Sequence, residues 1–304
     1  MKAIIAAGGD ATRVRPAQDK SQQIVYDKPV LYYLLTNAMK AQIRDVMIVC
    51  NERNVAAAEA LFRDAEWEFG VNVKFATIAV PNGPAGVFRL PQVRRHIGTE
   101  PVCLILDGIY HGGNFDEVVR SCAKITSGAT VLAARTSDPR PYGWINTDAN
   151  GDAIEIVEKP GFVPEPDRSY LVQTHMYFYG PEVIYLASQL LPSDRNQYEV
   201  TDLHTRFLSQ QSLDIKILED RGCPLLWDDA GTARKLLALA IAVRGIQEDG
   251  NARTLVGSPH LQALRNGWVT SRQIRELCSP FLKRGIEYYD ALSAEVTKIG
   301  GEIG

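Results

Sequence analysis

An apolar run, Ala3-Ile4-Ile5-Ala6-Ala7, breaks on two glycines, Gly8 and Gly9. A short apolar run ended by glycine reads as a buried strand. Strand and helix patterns then alternate. Leu31 to Ala41 reads as a helix, Val46 to Cys50 as a strand, and Val55 to Phe69 as an amphipathic helix. Val71 to Ile78 is a strand, Gly86 to Ile97 a helix, and Val102 to Leu106 a strand ending in Asp107. This alternation restricts the chain to an α/β fold with a mixed, mostly parallel sheet and helices on both faces. Ligands of such sheets bind beyond the carboxyl ends of the strands. Gly8-Gly9 and Asp107 fall at such ends and are expected to face one crevice.

The middle is richer in strands: Thr130 to Arg135, Gly143 to Thr147, Ala153 to Glu158 and Tyr170 to Tyr179. Asp148 to Asp152 is turn-rich and predicts a hairpin. Helical patterns return at Pro181 to Gln189, Thr201 to Gln210 and Thr232 to Gln247. Ser271 to Lys283 and Tyr288 to Thr297 follow. The expected division is an α/β domain over 1–250 and a small C-terminal helical appendage over 251–304.

The segment Gly8-Gly9-Asp10-Ala11-Thr12-Arg13 suggests phosphate chemistry. Glycines let backbone N–H groups approach an anion, and an arginine fork bridges phosphate oxygens. The alternative is an ordinary strand-to-helix turn. The segment lacks the Gly-Lys-Ser/Thr of a P-loop and the glycine spacing of dinucleotide folds. A nicotinamide oxidoreductase therefore does not suit it.

Charge and cysteine usage narrow the setting. A net charge of −3 gives no reason to expect nucleic acid or a membrane as partner. Five scattered cysteines without C-x-x-C spacing predict reduced thiols and a cytoplasmic protein. Five scattered histidines argue against zinc. No run is long enough to span a bilayer, and no secretory leader is expected.

Five pieces carry chemistry: the Gly8–Arg13 loop, Lys20 ahead of Tyr26-Asp27-Lys28-Pro29, Asp107, Glu158-Lys159-Pro160, and Trp227-Asp228-Asp229-Ala230-Gly231-Thr232. Each has a bland reading, as a turn, a solvated ion pair or a helix cap. Together, two carboxylates can hold one Mg²⁺, and the cations can neutralise phosphate charge during an in-line displacement.

In order and spacing, these pieces resemble the sugar-1-phosphate nucleotidyltransferases, in particular the glucose-1-phosphate thymidylyltransferase branch. Tyr26 to Tyr33, Glu158-Lys159-Pro160, Tyr177-Phe178-Tyr179, Glu199 to Asp202, Trp227 to Thr232 and Arg265 to Trp268 carry the resemblance with the opening loop. It spans Met1 to roughly Leu292 and implies a Rossmann-like core. The implied reaction is NTP plus sugar-1-phosphate giving NDP-sugar and pyrophosphate. By the same resemblance Arg13, Lys20 and Lys159 are catalytic, and Gly8, Gly9, Ala11, Thr12 and Gly83 bind nucleotide. Gly143, Glu158, Val172 and Gln173 bind the sugar. Asp107 and Asp229 hold Mg²⁺, and the chain forms a homo-oligomer, a dimer or tetramer. A non-catalytic relative that binds a nucleotide sugar, as sensor or partner subunit, is the alternative.

Departures from the pattern are concentrated where substrates are chosen. Ala11 replaces a loop glycine. Ile78 falls where the family has a glutamine that reads a pyrimidine edge, which predicts relaxed or shifted base preference. Val172-Gln173-Thr174-His175 replaces a shorter valine-threonine-glycine stretch, which predicts an acceptor other than plain glucose-1-phosphate: a modified sugar or a cyclitol phosphate.

Overall fold

Alternate residues of the first strand enter different cores. In β1 (Lys2–Ala7), Ala3, Ile5 and Ala7 join one apolar cluster and Ile4 the other. Such a strand is covered on both faces, as its unbroken apolar run requires. The computed structural model describes residues 1–9, 23–248 and 255–302, with side chains through residue 299. Four expected site residues, Ala11, Thr12, Arg13 and Lys20, lie outside the described residues.

β2 (Ile24–Val25) and β3 (Lys28–Pro29) form a short ladder ahead of α1 (Val30–Lys40). Next come β4 (Asp45–Asn51), α2 (Val55–Leu61), α3 (Ala65–Phe69) and β5 (Asn72–Ile78). A 3-10 turn, Pro84–Arg89, leads to α4 (Pro91–Ile97), β6 (Val102–Ile105), β7 (Gly108–His111) and α5 (Phe115–Cys122). The middle holds β8 (Ala129–Thr136), β9 (Gly143–Thr147), β10 (Ala153–Glu158) and β11 (Tyr170–Tyr179). α6 (Val183–Ser188), α7 (Val200–Ser209), β12 (Leu213–Ile217), β13 (Leu226–Asp229) and α8 (Ala233–Glu248) follow. The described chain ends in α9 (Pro259–Arg265), α10 (Ser271–Leu282) and α11 (Glu287–Glu302).

Nine strands form one sheet along β10-β9-β11-β6-β1-β4-β5, with β8 also on β11 and β12 on β8. The β6-β1-β4-β5 run is parallel, and β11 enters antiparallel to β6, β8 and β9. One face is covered by α1 and the C-terminal helices, the other by Phe88, α4, α6 and α7. This is the expected Rossmann-like mixed α/β sheet.

The expected helix over 55–69 divides at Phe62. The break lets Phe62 and Phe69 both bury against Tyr32, with ring centroids 5.9 and 5.8 Å away. Packing there outweighs helix continuity. The helix expected over 86–97 likewise divides before Pro91, because the residue before a proline avoids helical geometry. β2, β3, β7, β12, β13, α5 and α9 have no counterpart among the sequence expectations. Leu255, Leu261, Ile274, Tyr288 and Val296 from the C-terminal segment share one apolar cluster with Ala3 and Ile5. No helix among the described residues is long and apolar enough to cross a membrane.

Candidate active site

Gly8, Gly9 and Asp107 do face one crevice, a cavity of about 670 Å³ at the carboxyl ends of the parallel strands. The same cavity takes in Gly83, Gly143, Glu158, Lys159, Gln173 and Asp229. Nine expected site residues spread over some 220 positions, from Gly8 to Asp229, thus converge on one cavity. Val172 does not line it. Its side chain is fully buried on β11, between partners on β8 and β9.

One end of the cavity is walled by the turn after β5. Ile78, Pro81, Asn82 and Gly83 line it. Gly83 has φ +97, and a Cβ there would stand 2.6 Å from the Tyr198 backbone nitrogen. Glycine is therefore demanded both by conformation and by close approach. Hydrogen bonds from Tyr198 N to Asn82 O (2.6 Å) and from Ala85 N to Tyr198 O (3.0 Å) clamp this turn to the chain ahead of α7.

Another wall is built from the β9–β10 hairpin. Asp148 accepts from the backbone of Asn150 (2.8 Å) and Asp152 (3.0 Å), an Asx turn that closes it. The hairpin sets Gly143 opposite Glu158. Lys159 follows in a left-handed conformation, φ +46, and its N–H donates to Tyr142 O at 2.9 Å. A non-glycine residue in that region costs free energy and is held by its surroundings. Its ammonium donates to Glu158 Oε1 at 2.6 Å, which also takes Arg195 at 3.1 Å, while Glu158 Oε2 accepts from Thr201 at 2.6 Å. Burial works against the Glu158 charge, but the Lys159 and Thr201 bonds outweigh it and hold its pKa below the usual carboxylate range.

Elsewhere on the cavity, β13 pairs antiparallel with β7, placing Asp229 opposite Gly108. Ala230 N donates to Asp107 O at 3.1 Å, so the two aspartates sit on adjoining strand ends. His175 of β11 approaches Asp107, Nδ1 to Oδ1 3.4 Å. It is carried there by a bulge. Gln173 pairs Ala133 and Tyr177 pairs Val131, so β11 spends two extra residues in that interval. Bulges re-aim side chains beside active sites.

Lys235, among the cavity residues, was not expected from sequence. From the first turn of α8 it ion-pairs with Asp229 Oδ2 and with Asp228 Oδ1 (2.9 Å), and donates to Tyr142 Oη (2.7 Å). Burial disfavours its charge, yet the Asp229 and Tyr142 hydrogen bonds outweigh that and raise its pKa. A signal existed: a lysine in the first turn of a helix opposes the helix dipole. Two aspartates six and seven residues earlier supply the compensation. Arg195 was also missed, in a loop with no periodic pattern.

Tyr26-Asp27-Lys28-Pro29 lies outside the cavity. Lys28 is 1% exposed, paired with Asp27 and 3.3 Å from Gln247 Oε1, beneath the rings of Tyr33 and Tyr288. It ties the segment before α1 to α8 and α11.

The nucleotidyl transferase family matches residues 2–244. With the strand-end cavity and its acidic and basic groups, the chain belongs to this family and is a nucleotidyltransferase. It is 36% identical over 278 residues to the glucose-1-phosphate thymidylyltransferase of Neisseria gonorrhoeae, covering 90% of this chain and 92% of that protein. A Bacillus anthracis structure described as a glucose-1-phosphate thymidylyltransferase, solved with sucrose, superposes with a TM-score of 0.68 at 26% identity. That match covers 79% of this chain and 94% of the other. A UDP-glucose pyrophosphorylase solved with UDP-glucose shares the fold, with a TM-score of 0.64 at 18% identity over 79% of this chain and 97% of the other.

Proposed function

We propose that the chain transfers a nucleotidyl group from an NTP to a sugar-1-phosphate, releasing pyrophosphate. The convergence of Gly8-Gly9, Asp107, Asp229 and the Glu158-Lys159 pair on one cavity supports this. An oxygen of the sugar phosphate attacks the α-phosphorus, and the bond to the pyrophosphate oxygen breaks. No protein nucleophile is required. Gly8 and Gly9 present backbone to the phosphates, and Arg13 and Lys20 are assigned to the triphosphate. Lys159 holds the acceptor phosphate and Glu158 accepts from a sugar hydroxyl.

Mg²⁺ fits the donor set. Asp107 and Asp229 offer hard oxygen ligands on adjoining strand ends, and Mg²⁺ normally completes its shell with phosphates and water. Among the described residues no group of three or more His, Cys, Asp or Glu side chains forms a denser metal site. When bound, the ion would neutralise phosphate charge as it redistributes. Lys235 supplies a second positive charge at Asp229.

Two features favour a changed substrate choice. Ile78 offers no hydrogen bond at the end assigned to the base, which favours relaxed base preference over strict dTTP use. The β11 bulge adds the His175 ring to the cavity, which favours a modified sugar or a cyclitol phosphate as acceptor. Leu237 and Ile241, each 63% exposed and one turn apart on α8, offer an apolar contact for a homo-oligomer, dimer or tetramer. The reaction is tested by pyrophosphate release. Release should require both an NTP and a sugar-1-phosphate, and Asp107→Ala and Asp229→Ala should abolish it without loss of folding. Release from NTP alone would refute the acceptor assignment.

A further inference from the structure

A chain of hydrogen bonds runs from the core to Glu158. Tyr179 Oη lies 2.7 Å from His204 Nε2, and His204 Nδ1 meets Gln173 Oε1. Gln173 Nε2 donates to Thr201 Oγ1 at 3.4 Å, and Thr201 Oγ1 donates to Glu158 Oε2 at 2.6 Å. His204, Gln173 and Thr201 are all buried, at 0%, 3% and 3% exposure.

The direction of every bond follows from chemistry. Glu158 is a carboxylate and accepts only, so the Thr201 hydroxyl is its donor. Thr201 then has lone pairs left to accept the Gln173 amide N–H. The Gln173 oxygen must in turn accept from His204, which fixes the proton on Nδ1. A neutral imidazole has one donor and one acceptor, so Nε2 accepts from Tyr179. Burial keeps this ring neutral, its pKa lowered to about 3. With the amide turned over, its oxygen would face a hydroxyl whose only proton is committed to Glu158.

We infer that Gln173 and His204 are positioning residues that hold Glu158, through Thr201, in the orientation that receives one hydroxyl of the acceptor. The inference rests on the acceptor reading of this cavity. A carboxylate has about four lone-pair sites. Lys159 and Arg195 occupy Oε1 and Thr201 occupies one site on Oε2, which leaves one for substrate. Gly143 makes room for the arrangement. A Cβ there would overlap Gln173 Nε2 and stand 3.1 Å from Thr201 Oγ1. Its absent side chain thus serves the hydrogen-bond chain as well as the sugar.

Thr201→Val keeps shape and removes the donor, and Thr201→Ser keeps the donor. Thr201→Val should raise KM for the sugar phosphate about tenfold, the weight of a hydrogen bond to a charged group. KM for the NTP and the melting temperature should stay near wild type, and Thr201→Ser should restore the sugar KM. Gln173→Leu should have the same effect, and the double variant Gln173→Leu/Thr201→Val should be no worse than either single. Additive effects, or equal changes in both KM values, would overturn the inference. Independently of turnover, ¹⁵N imidazole spectra of the wild-type chain should show His204 protonated on Nδ1 from pH 5 to 8. An Nε2-protonated ring would refute the hydrogen-bond chain itself. Absence of turnover with every sugar phosphate would instead strike the functional reading, and with it the hydroxyl assigned to Glu158.

Discussion

Ile78 closes over Gly8. A Cβ added to Gly8 would stand 2.6 Å from Ile78 Cγ2, and both residues line the cavity. The end of β5 is thereby packed onto the end of β1 with an apolar branch at the place we assign to the base. Ile78→Gln removes the branch and introduces a donor and an acceptor. Wild-type kcat/KM values for dTTP, UTP, CTP, ATP and GTP should fall within about tenfold of one another, because a site without polar readout discriminates weakly. Ile78→Gln should widen the spread in favour of dTTP and UTP. Strict dTTP use by the wild-type chain would contradict this role for Ile78.

In the proposed reaction a divalent ion would share Asp229 with Lys235. Replacing the lysine by methionine keeps most of its volume and removes its charge. Mn²⁺ binding to the complex with NTP, followed by electron paramagnetic resonance, should tighten about tenfold in Lys235→Met, which corresponds to about 1.4 kcal/mol. Weaker binding would show that Lys235 assists the metal rather than competing with it.

Acid should destabilise the fold before its carboxylates reach their usual range. Burial lowers His204 to about 3, and burial with the Lys40 charge lowers His111 to about 4. Unfolded, each titrates near 6.5. Between those values the unfolded chain binds protons that the folded chain refuses, so stability falls as pH falls. Glu158, also depressed, acts in the same direction, its contribution present above the ordinary carboxylate value and lost below it. His204 alone should make the protein about 2 kcal/mol less stable at pH 5 than at pH 7. Urea titrations at the two pH values check this, and His204→Gln should flatten the dependence. Stability that rises on acidification would contradict it.

Much of the fold was legible because its signals are local. β1, β4 and β6 are apolar runs that end near glycine, asparagine or aspartate, β5 alternates apolar and polar residues, and their parallel pairing follows from the helices between them. The strand-end position of Gly8 and Asp107 followed from the same alternation. The cavity's chemistry was only partly legible. Lys235 reaches Asp229 because β13 pairs with β7, a ladder between segments more than a hundred residues apart with no apolar alternation of its own. The β11 bulge arises because one long strand pairs β8 on one edge and both β9 and β6 on the other. His175 looked like a replaced glycine in sequence, and only that pairing turns it toward Asp107. Gln173 read only as a sugar contact; its bonds to Thr201 and His204 arise where β11 lies beside α7.

The transfer itself is tested most directly by following oxygen. With a sugar-1-phosphate carrying ¹⁸O in its phosphate, mass spectrometry of the products should find the label in the NDP-sugar, including the oxygen bridging its two phosphorus atoms, and unlabelled pyrophosphate. Label in the pyrophosphate, or nucleoside monophosphate formed without NDP-sugar, would contradict direct attack by the acceptor on the α-phosphorus.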